Sequence, residues 1–172
     1  MRMIIMLMVI TALSVGCGNE DVKKEALKSP DVKELVHAYT VGDEQAATAS
    51  ITSSELIVTE ENKEVKTYNL PEDEFFVSIA PFVNTTHPCD IHSLTGCQGE
   101  LVEEDFNVHI EDSEGNVVLN EKKKSETNGF IDLWLPRNDT FTVTIKQDDK
   151  ETTSEITTFD GDNTCITTMQ LG

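Results

Sequence analysis

Apolar residues near the start of the expected folded part recur every three or four positions, at Val32, Leu35, Val36 and Tyr39. This spacing is the period of an amphipathic helix, so the pattern predicts a helix of about three turns. Ser29 precedes Pro30, and proline is well tolerated in a first helical turn, so we expect the helix to start there. Gly42 marks its expected end.

The next two segments alternate between apolar and polar residues. They are SELIVTE at 54–60 and KEVKTYNLP at 63–71, and the turn EENK joins them. Alternation with a period of two is typical of half-buried strands, so we expect a hairpin packed beneath the helix. Residues 30–74 are therefore predicted to form a small α+β domain.

From residue 75 onward, short alternating runs are separated by turn residues at intervals typical of a β-sandwich. The predicted buried faces are Phe106, Val108 and Ile110; Ile131, Leu133 and Leu135; and Phe141, Val143 and Ile145. The closing run places Cys165, Thr167, Met169 and Leu171 on one face. The expected fold is α+β: a small N-terminal helix-plus-hairpin domain, then a C-terminal all-β, sandwich-like domain at 75–172 that carries a cysteine and histidine loop.

The N-terminus has the pattern of a secretory signal. One charge, Arg2, precedes an apolar run from Met3 to Val15, which is shorter than the roughly 20 residues needed to span a bilayer. Gly16 stands directly before Cys17, so residues 1–16 are predicted to be a lipoprotein signal peptide and Cys17 the lipidated N-terminus. The polar residues 17–29 then form a flexible tether. We expect a protein that is secreted across the cytoplasmic membrane and lipid-anchored to its extracytoplasmic face.

The chain is strongly acidic, with a formal net charge of −19. Such a charge repels the phosphate backbone, so nucleic acid is excluded as a partner. It also attracts metal cations non-specifically, but it indicates no particular ligand. The sequence contains no nucleophile–histidine arrangement of hydrolase type and no phosphate-binding glycine loop, which argues against a hydrolytic enzyme.

The stretch THPCDIHSLTGCQGEL at 86–101 contains the highest density of potential soft-metal ligands in the chain. Four soft or borderline donors fall within it, at His87, Cys89, His92 and Cys97. Thiolate and imidazole suit copper(I), zinc and iron–sulfur centres, whereas hard cations prefer oxygen. Cys89 and His92 are three residues apart, so one helical turn would place them on the same side. Pro88 holds His87 extended, which favours His92 over His87 as a ligand.

The number of cysteines indicates a third thiol that could join the two of this loop. If Cys17 carries lipid, the remaining cysteines are Cys89, Cys97 and Cys165, an odd number. One reading is a disulfide, Cys89–Cys97 or Cys97–Cys165, that staples a small extracellular domain and leaves one thiol free. The other is a metal site of three thiolates, or of two thiolates and one imidazole, for which the final strand must pass beside the loop.

Four motifs in the same order resemble the CueP family of periplasmic copper-binding proteins: FFVSIAPFV, THPCDIHSLTGCQGEL, NGFIDLWLP and TCITTMQL. The resemblance is strong from about residue 75 to 172. It implies a copper-resistance protein that binds copper through three cysteines, which fall here on Cys89, Cys97 and Cys165. It also implies an N-terminal domain that mediates homodimerisation, and delivery of copper to an extracytoplasmic superoxide dismutase or another cuproenzyme.

The residues and the resemblance together favour a copper-binding protein that takes copper mainly as copper(I), with His92 and His87 as supporting ligands. The alternative is a thiol redox protein that reduces copper(II) or exchanges disulfides with the same cysteines. A third reading is a tethered structural domain with no tight metal site. Zinc is the competing metal because cysteine and histidine also satisfy a tetrahedral site.

Overall fold

The computed structural model describes residues 31–172, and within them the chain forms one helix and eleven strands in three sheets. The structure is mostly β with one short helix, in agreement with the α+β prediction. The predicted signal peptide, Cys17 and the tether at 17–29 lie outside the described residues. Within 31–172, no helix is both long enough and apolar enough to cross a membrane. The predicted domain boundary at residue 74 stays a prediction.

The helix α1 covers Val32–Val41. The strands are β1 Thr48–Ile51, β2 Glu55–Thr59, β3 Val65–Asn69, β4 Glu74–Ile79, β5 His92–Ser93, β6 Asp105–Glu111, β7 Val117–Lys124, β8 Ile131–Pro136, β9 Thr140–Gln147, β10 Lys150–Thr157 and β11 Cys165–Ile166.

Helix α1 starts two residues later than predicted. Asp31, and not Ser29, is its N-cap, and the Asp31 carboxylate accepts a hydrogen bond from the backbone N–H of Lys33 at 3.0 Å. Such a bond satisfies one of the N–H groups that a helix leaves unpaired at its start. The helix ends as predicted at Gly42, whose φ of 81° lies in the left-handed region that glycine adopts without strain.

The first sheet has the strand order β3-β2-β1-β5. The predicted hairpin is confirmed as the antiparallel pair β2–β3, in which Leu56 lies opposite Tyr68. Helix α1 packs on this sheet through a shared core to which residues from beyond the predicted boundary also contribute. That core contains Val36, Tyr39, Ala49, Ile51, Leu56, Val58, Leu70, Phe76 and Leu94.

The other two sheets, β11-β4-β8 and β10-β9-β6-β7, share the largest core of the molecule. The predicted alternations in β6, β8 and β9 are confirmed, because their apolar residues are buried and lie in this core. The C-terminal part therefore has the expected two-sheet packing.

The closing segment is only partly a regular strand. Cys165 and Ile166 pair in parallel with Ser78 and Ile79 of β4, and a single bridge joins Phe82 to Gln170 further along. The predicted alternation of burial nevertheless continues to the end of the chain, at Cys165, Thr167, Met169 and Leu171.

Strand β4 is buried on both faces, and this places the sheet β11-β4-β8 between two cores. Phe75, Val77 and Ile79 lie in the sandwich core, whereas Phe76 lies in the core beneath α1. A third, small cluster on the α1 side contains Ala80, Cys97, Phe130 and Cys165, with Cys89 packed against it. The cysteines therefore gather beside the junction between the N-terminal sheet and the sandwich.

Candidate metal centre

The cysteine loop is anchored at both ends. The Thr86 hydroxyl donates to the carbonyl of Thr167 at 2.7 Å. At the other end, the Glu100 carboxylate accepts from the backbone N–H groups of Asn84 at 2.9 Å and Val83 at 2.6 Å. These bonds to Asn84 and Val83 lower the pKa of Glu100 to about 2. Glu100 thus holds the backbone of the loop, a role that the sequence did not indicate.

Strand β5 positions His92. It lies opposite Ile51 of β1, and its backbone N–H donates to the hydroxyl of Thr164 at 3.0 Å. The same hydroxyl donates to the carbonyl of Ile51 at 2.6 Å. Because Thr164 directly precedes Cys165, these bonds hold Cys165 beside the first sheet. This network explains why His92 is fully buried and why it lies beside Cys165.

Cys97 is held by a turn that starts at Ser93. Its N–H donates to the Ser93 carbonyl at 3.0 Å, and the Ser93 N–H points at the Cys97 sulfur at 3.4 Å. The helical turn expected at Cys89–His92 is wrong: that segment has no helix, and the turn occurs at 93–97.

The three cysteines of the described chain meet at one place. Cys89 and Cys165 form a disulfide, and the sulfur of Cys97 lies 3.4 Å from that of Cys89. Cys97 is buried and is the unpaired cysteine of residues 31–172. Neither disulfide that the sequence suggested is therefore formed, because β11 brings Cys165 to within 5.6 Å of Cys89 between Cα atoms.

The two histidines of the loop join the sulfurs in two overlapping groups. His87, Cys89 and Cys97 place their donor atoms within 4.8 Å of one another, and so do His92, Cys97 and Cys165. His87, although it directly precedes Pro88, is among the residues that lie close to the sulfurs. All five residues predicted from the sequence are thus near one another.

The His92 imidazole is well suited to binding a metal. Burial, and secondarily the charge of His87, lower its pKa to about 4, so the ring is neutral near pH 7. Its Nδ1 lies 3.5 Å from the sulfur of Cys165, while its buried Nε2 has no hydrogen-bond partner within the described residues. A metal would give an unpaired ring nitrogen a partner.

Phe130 lies against this cluster, a position that the sequence did not indicate. Its ring centroid is 4.5 Å from that of His92 and 6.4 Å from that of His87, and the side chain is fully buried. Phe76 lies beyond His92, with 6.2 Å between ring centroids. Phe130 directly precedes β8, and its alternation with Asp132 and Trp134 on the second face of that strand is the sequence signal that could have indicated a covered site.

The other histidines of the described chain lie elsewhere. His37 is exposed on α1, and the Nε2 of His109 is 2.9 Å from a carboxylate oxygen of Glu111 on the outer face of β6. Neither belongs to the groups of described residues that could hold a metal ion.

The β-rich fold brings three sulfurs and two imidazoles together in two overlapping groups, and these are the donor types of soft-metal-binding proteins. The family model described as "Periplasmic copper-binding protein CueP" matches residues 32–170, and the chain belongs to this family. The resemblance inferred from the four motifs is confirmed, and the family makes the protein an extracytoplasmic copper-binding protein.

The fold is also similar to a solved structure titled "Crystal Structure of S.CueP". The two chains are 36% identical with a TM-score of 0.78, and the match covers 85% of this chain and 91% of that one. No curated protein matches this chain.

Proposed function

We propose that this protein captures copper, mainly as copper(I), through the thiolates of Cys89, Cys97 and Cys165, for copper resistance. His92 and His87 are proposed as supporting ligands. The observation that carries the proposal is the meeting of all three sulfurs beside the neutral ring of His92, whose Nδ1 lies 3.5 Å from the Cys165 sulfur. Thiolate sulfur is the donor that selects copper(I) over harder cations.

The proposal requires the reduced protein, because the Cys89–Cys165 disulfide ties up two of the three sulfurs. An external dithiol would supply two electrons and two protons, which convert the disulfide to two thiols. Binding of copper(I) then releases the thiol protons, since the thiolate is the ligand. Oxidation would reverse these steps and close the site.

Zinc is the competing ion, and the geometry favours copper(I). A structural zinc ion takes four ligands in a tetrahedron. Here each group of donors within 4.8 Å contains two cysteines and one histidine, and the fully buried Phe130 covers one side. A set of three soft donors suits the low coordination numbers of copper(I) better than a closed tetrahedral site.

A redox role is the second candidate, and the position of Cys97 favours it. The Cys97 sulfur lies 3.4 Å from the Cys89 sulfur of the disulfide. Attack would form a Cys89–Cys97 bond, break the Cys89–Cys165 bond and release Cys165 as a thiolate. For copper(II) reduction, two thiols would become one disulfide and would give one electron to each of two copper(II) ions.

Anchoring, dimerisation and delivery are proposed from the sequence and the family. The lipid anchor at Cys17 would keep the site at the membrane surface, and residues 30–74 would mediate a homodimer. An extracytoplasmic superoxide dismutase or another cuproenzyme would receive the copper. Copper capture does not depend on any of these three proposals.

Competitive copper(I) titration of the reduced protein tests the proposed capture. A chromophoric chelator reports free copper(I), and the same titration is repeated after oxidation to the disulfide. We expect tight one-to-one binding by the reduced form and its loss on oxidation. Weak binding by the reduced protein with an intact fold would reject capture in favour of a structural domain.

The variant Cys165→Ser identifies whether the final strand supplies a ligand. Loss of one thiolate from a buried site should weaken copper(I) binding by at least about tenfold, since even outer-shell partners of metal ligands contribute that much. The control is Thr167→Ser, which alters a buried residue two positions further on. Unchanged affinity in Cys165→Ser would confine the site to the loop.

A further inference from the structure

The five donors of the centre fall into two sets at different depths. His87, Cys89 and Cys97 form the outer set, in which His87 and Cys89 are half-buried. His92, Cys97 and Cys165 form the inner set, in which His92 is 0% and Cys165 2% exposed. Cys97 belongs to both sets.

The outer set lies on the side that solvent reaches. Its neighbours Pro88, Asp90 and Ile91 are exposed, and Ile91 retains 57% of its accessible surface. The inner histidine instead packs against the fully buried Phe130, and the ring of His87 lies edge-on to that same phenylalanine. A copper ion that arrives from solvent therefore meets the outer donors before the inner ones.

We propose that the outer set is an entry site for copper(I), which then passes to the inner set while Cys97 stays bound. This inference rests on the proposed copper capture and adds an order of events to it. The transfer is a ligand exchange without electron transfer. The bonds from copper to His87 and Cys89 break, and bonds to His92 and Cys165 form.

The exchange is balanced in charge and in donor type. Each set supplies two thiolates and one neutral imidazole in the reduced protein, so copper(I) carries the same total charge with its ligands before and after transfer. The two sets differ in burial. His92 and Cys165 are 0% and 2% exposed, whereas His87 and Cys89 are half-buried and remain open to water and competing ligands. Copper should therefore rest at the inner set.

Thiol alkylation of the loaded protein tests the resting position. The reduced full chain receives one equivalent of copper(I) and is then treated with iodoacetamide, and peptide mass spectrometry reads each cysteine separately. We expect Cys89 to be alkylated while Cys97 and Cys165 are protected. Equal protection of all three would overturn the two-set arrangement and indicate one shared site.

Transfer kinetics test the order of entry. In stopped-flow transfer of copper(I) from a chelator, His87→Ala should slow loading several-fold and should lower the equilibrium affinity less than His92→Ala does. His92→Ala should instead lower the affinity by about tenfold or more, mainly through faster release. His109→Ala, which removes a histidine on the outer face of β6, is the matched control and should change neither quantity.

The outcomes separate the two proposals. If the reduced wild-type chain fails to bind copper(I) tightly, copper capture itself fails. If it binds tightly but His87→Ala weakens the equilibrium affinity as much as His92→Ala does, capture stands and the entry order is wrong. Normal loading rates in His87→Ala would also overturn the entry role.

Discussion

His92 and Glu100 show how the surroundings of a residue in the cysteine loop set its charge. Burial lowers the pKa of His92 to about 4 and keeps the imidazole neutral and available as a ligand. Backbone N–H donors from Asn84 and Val83 lower the pKa of Glu100 to about 2 and keep that carboxylate ionised. The neutral imidazole of His92 suits the ligand role that we propose, whereas the Glu100 carboxylate holds the loop.

The Glu100 contact predicts a stability change in acid. Because the pKa is lower in the folded state, the contact stabilises the fold above the ordinary value of 4.5 and this stabilisation is lost as the pH falls towards about 2. Urea unfolding at a series of pH values should show a smaller decrease in unfolding free energy over this window for Glu100→Gln than for the wild type. Glu61→Gln, at an exposed position, is the control. A decrease in Glu100→Gln as large as that in the wild type would contradict the stabilising role of the Glu100 contact.

Among the elements, the crossing of two backbones at Gly99 and Gly129 fixes the end of the cysteine loop. The Gly99 N–H donates to the Asn128 carbonyl at 2.7 Å. A Cβ atom at Gly99 would lie 2.5 Å from the carbonyl oxygen of Gly129, whereas one at Gly96 would meet the flexible Ser93 hydroxyl at 2.8 Å. Only the first of these clashes is with backbone.

Gly99→Ala should therefore destabilise the protein by about 1–3 kcal/mol, the usual cost of overpacking, and should also weaken copper(I) binding because Cys97 is displaced. Gly96→Ala is the matched control and should cost less on both counts. Chemical denaturation and copper(I) competition measure the two effects. Equal behaviour of the two variants would show that the crossing does not constrain the loop.

Asp132 links helix α1 to the sheet β11-β4-β8. Its carboxylate accepts hydrogen bonds from Thr40 at the end of α1 and from Ser78 of β4. Burial raises the pKa of Asp132 above the ordinary 3.8, although both hydroxyl donors oppose this shift. The folded state therefore holds the proton more tightly, and stability should fall as the pH rises from 3.8 through the folded pKa.

The variant Asp132→Asn removes this ionisation and retains a hydrogen-bonding side chain. We expect its unfolding free energy to vary less with pH above 3.8 than that of the wild type, and to be no lower at pH 7. Asp132→Ala is the comparison, because it also loses the links to Thr40 and Ser78. Equal destabilisation by both variants at pH 7 would mean that the charge itself stabilises the fold.

Elements whose burial follows a local pattern were predictable from sequence. Strands β6, β8 and β9 alternate because one face of each packs on a core, and the hairpin β2–β3 is joined by a short turn. The short strands β5 and β11 depend on pairing with distant residues, His92 with Ile51 and Cys165 with Ser78. Local periodicity cannot encode such pairings.

The five site residues were predictable by type, but their arrangement was not. Cysteine and histidine in one loop indicated a soft-metal site, and the odd cysteine count brought in Cys165. The disulfide partner of Cys165 follows from the parallel pairing of β11 with β4 and from the contacts of Thr164, both set by tertiary structure. Phe130 was missed as a site residue because packing explains its hydrophobicity equally well.

For the whole molecule, the position of the centre explains how a small β-rich protein can hold copper. His92 comes from the N-terminal sheet, Cys165 from the sandwich and Cys97 from the loop between them. The net charge of −19 attracts cations towards the surface, while the buried thiols would supply the selectivity of the proposed capture. Capture of copper(I) by these thiols is the central claim.

X-ray absorption at the copper K-edge of the reduced, copper-loaded protein tests that claim most directly, because it reads both oxidation state and donor atoms. We predict a copper(I) edge and a first shell dominated by sulfur, with at least two sulfur neighbours and an imidazole nitrogen. A copper(II) edge, or a first shell of nitrogen and oxygen without sulfur, would contradict the account.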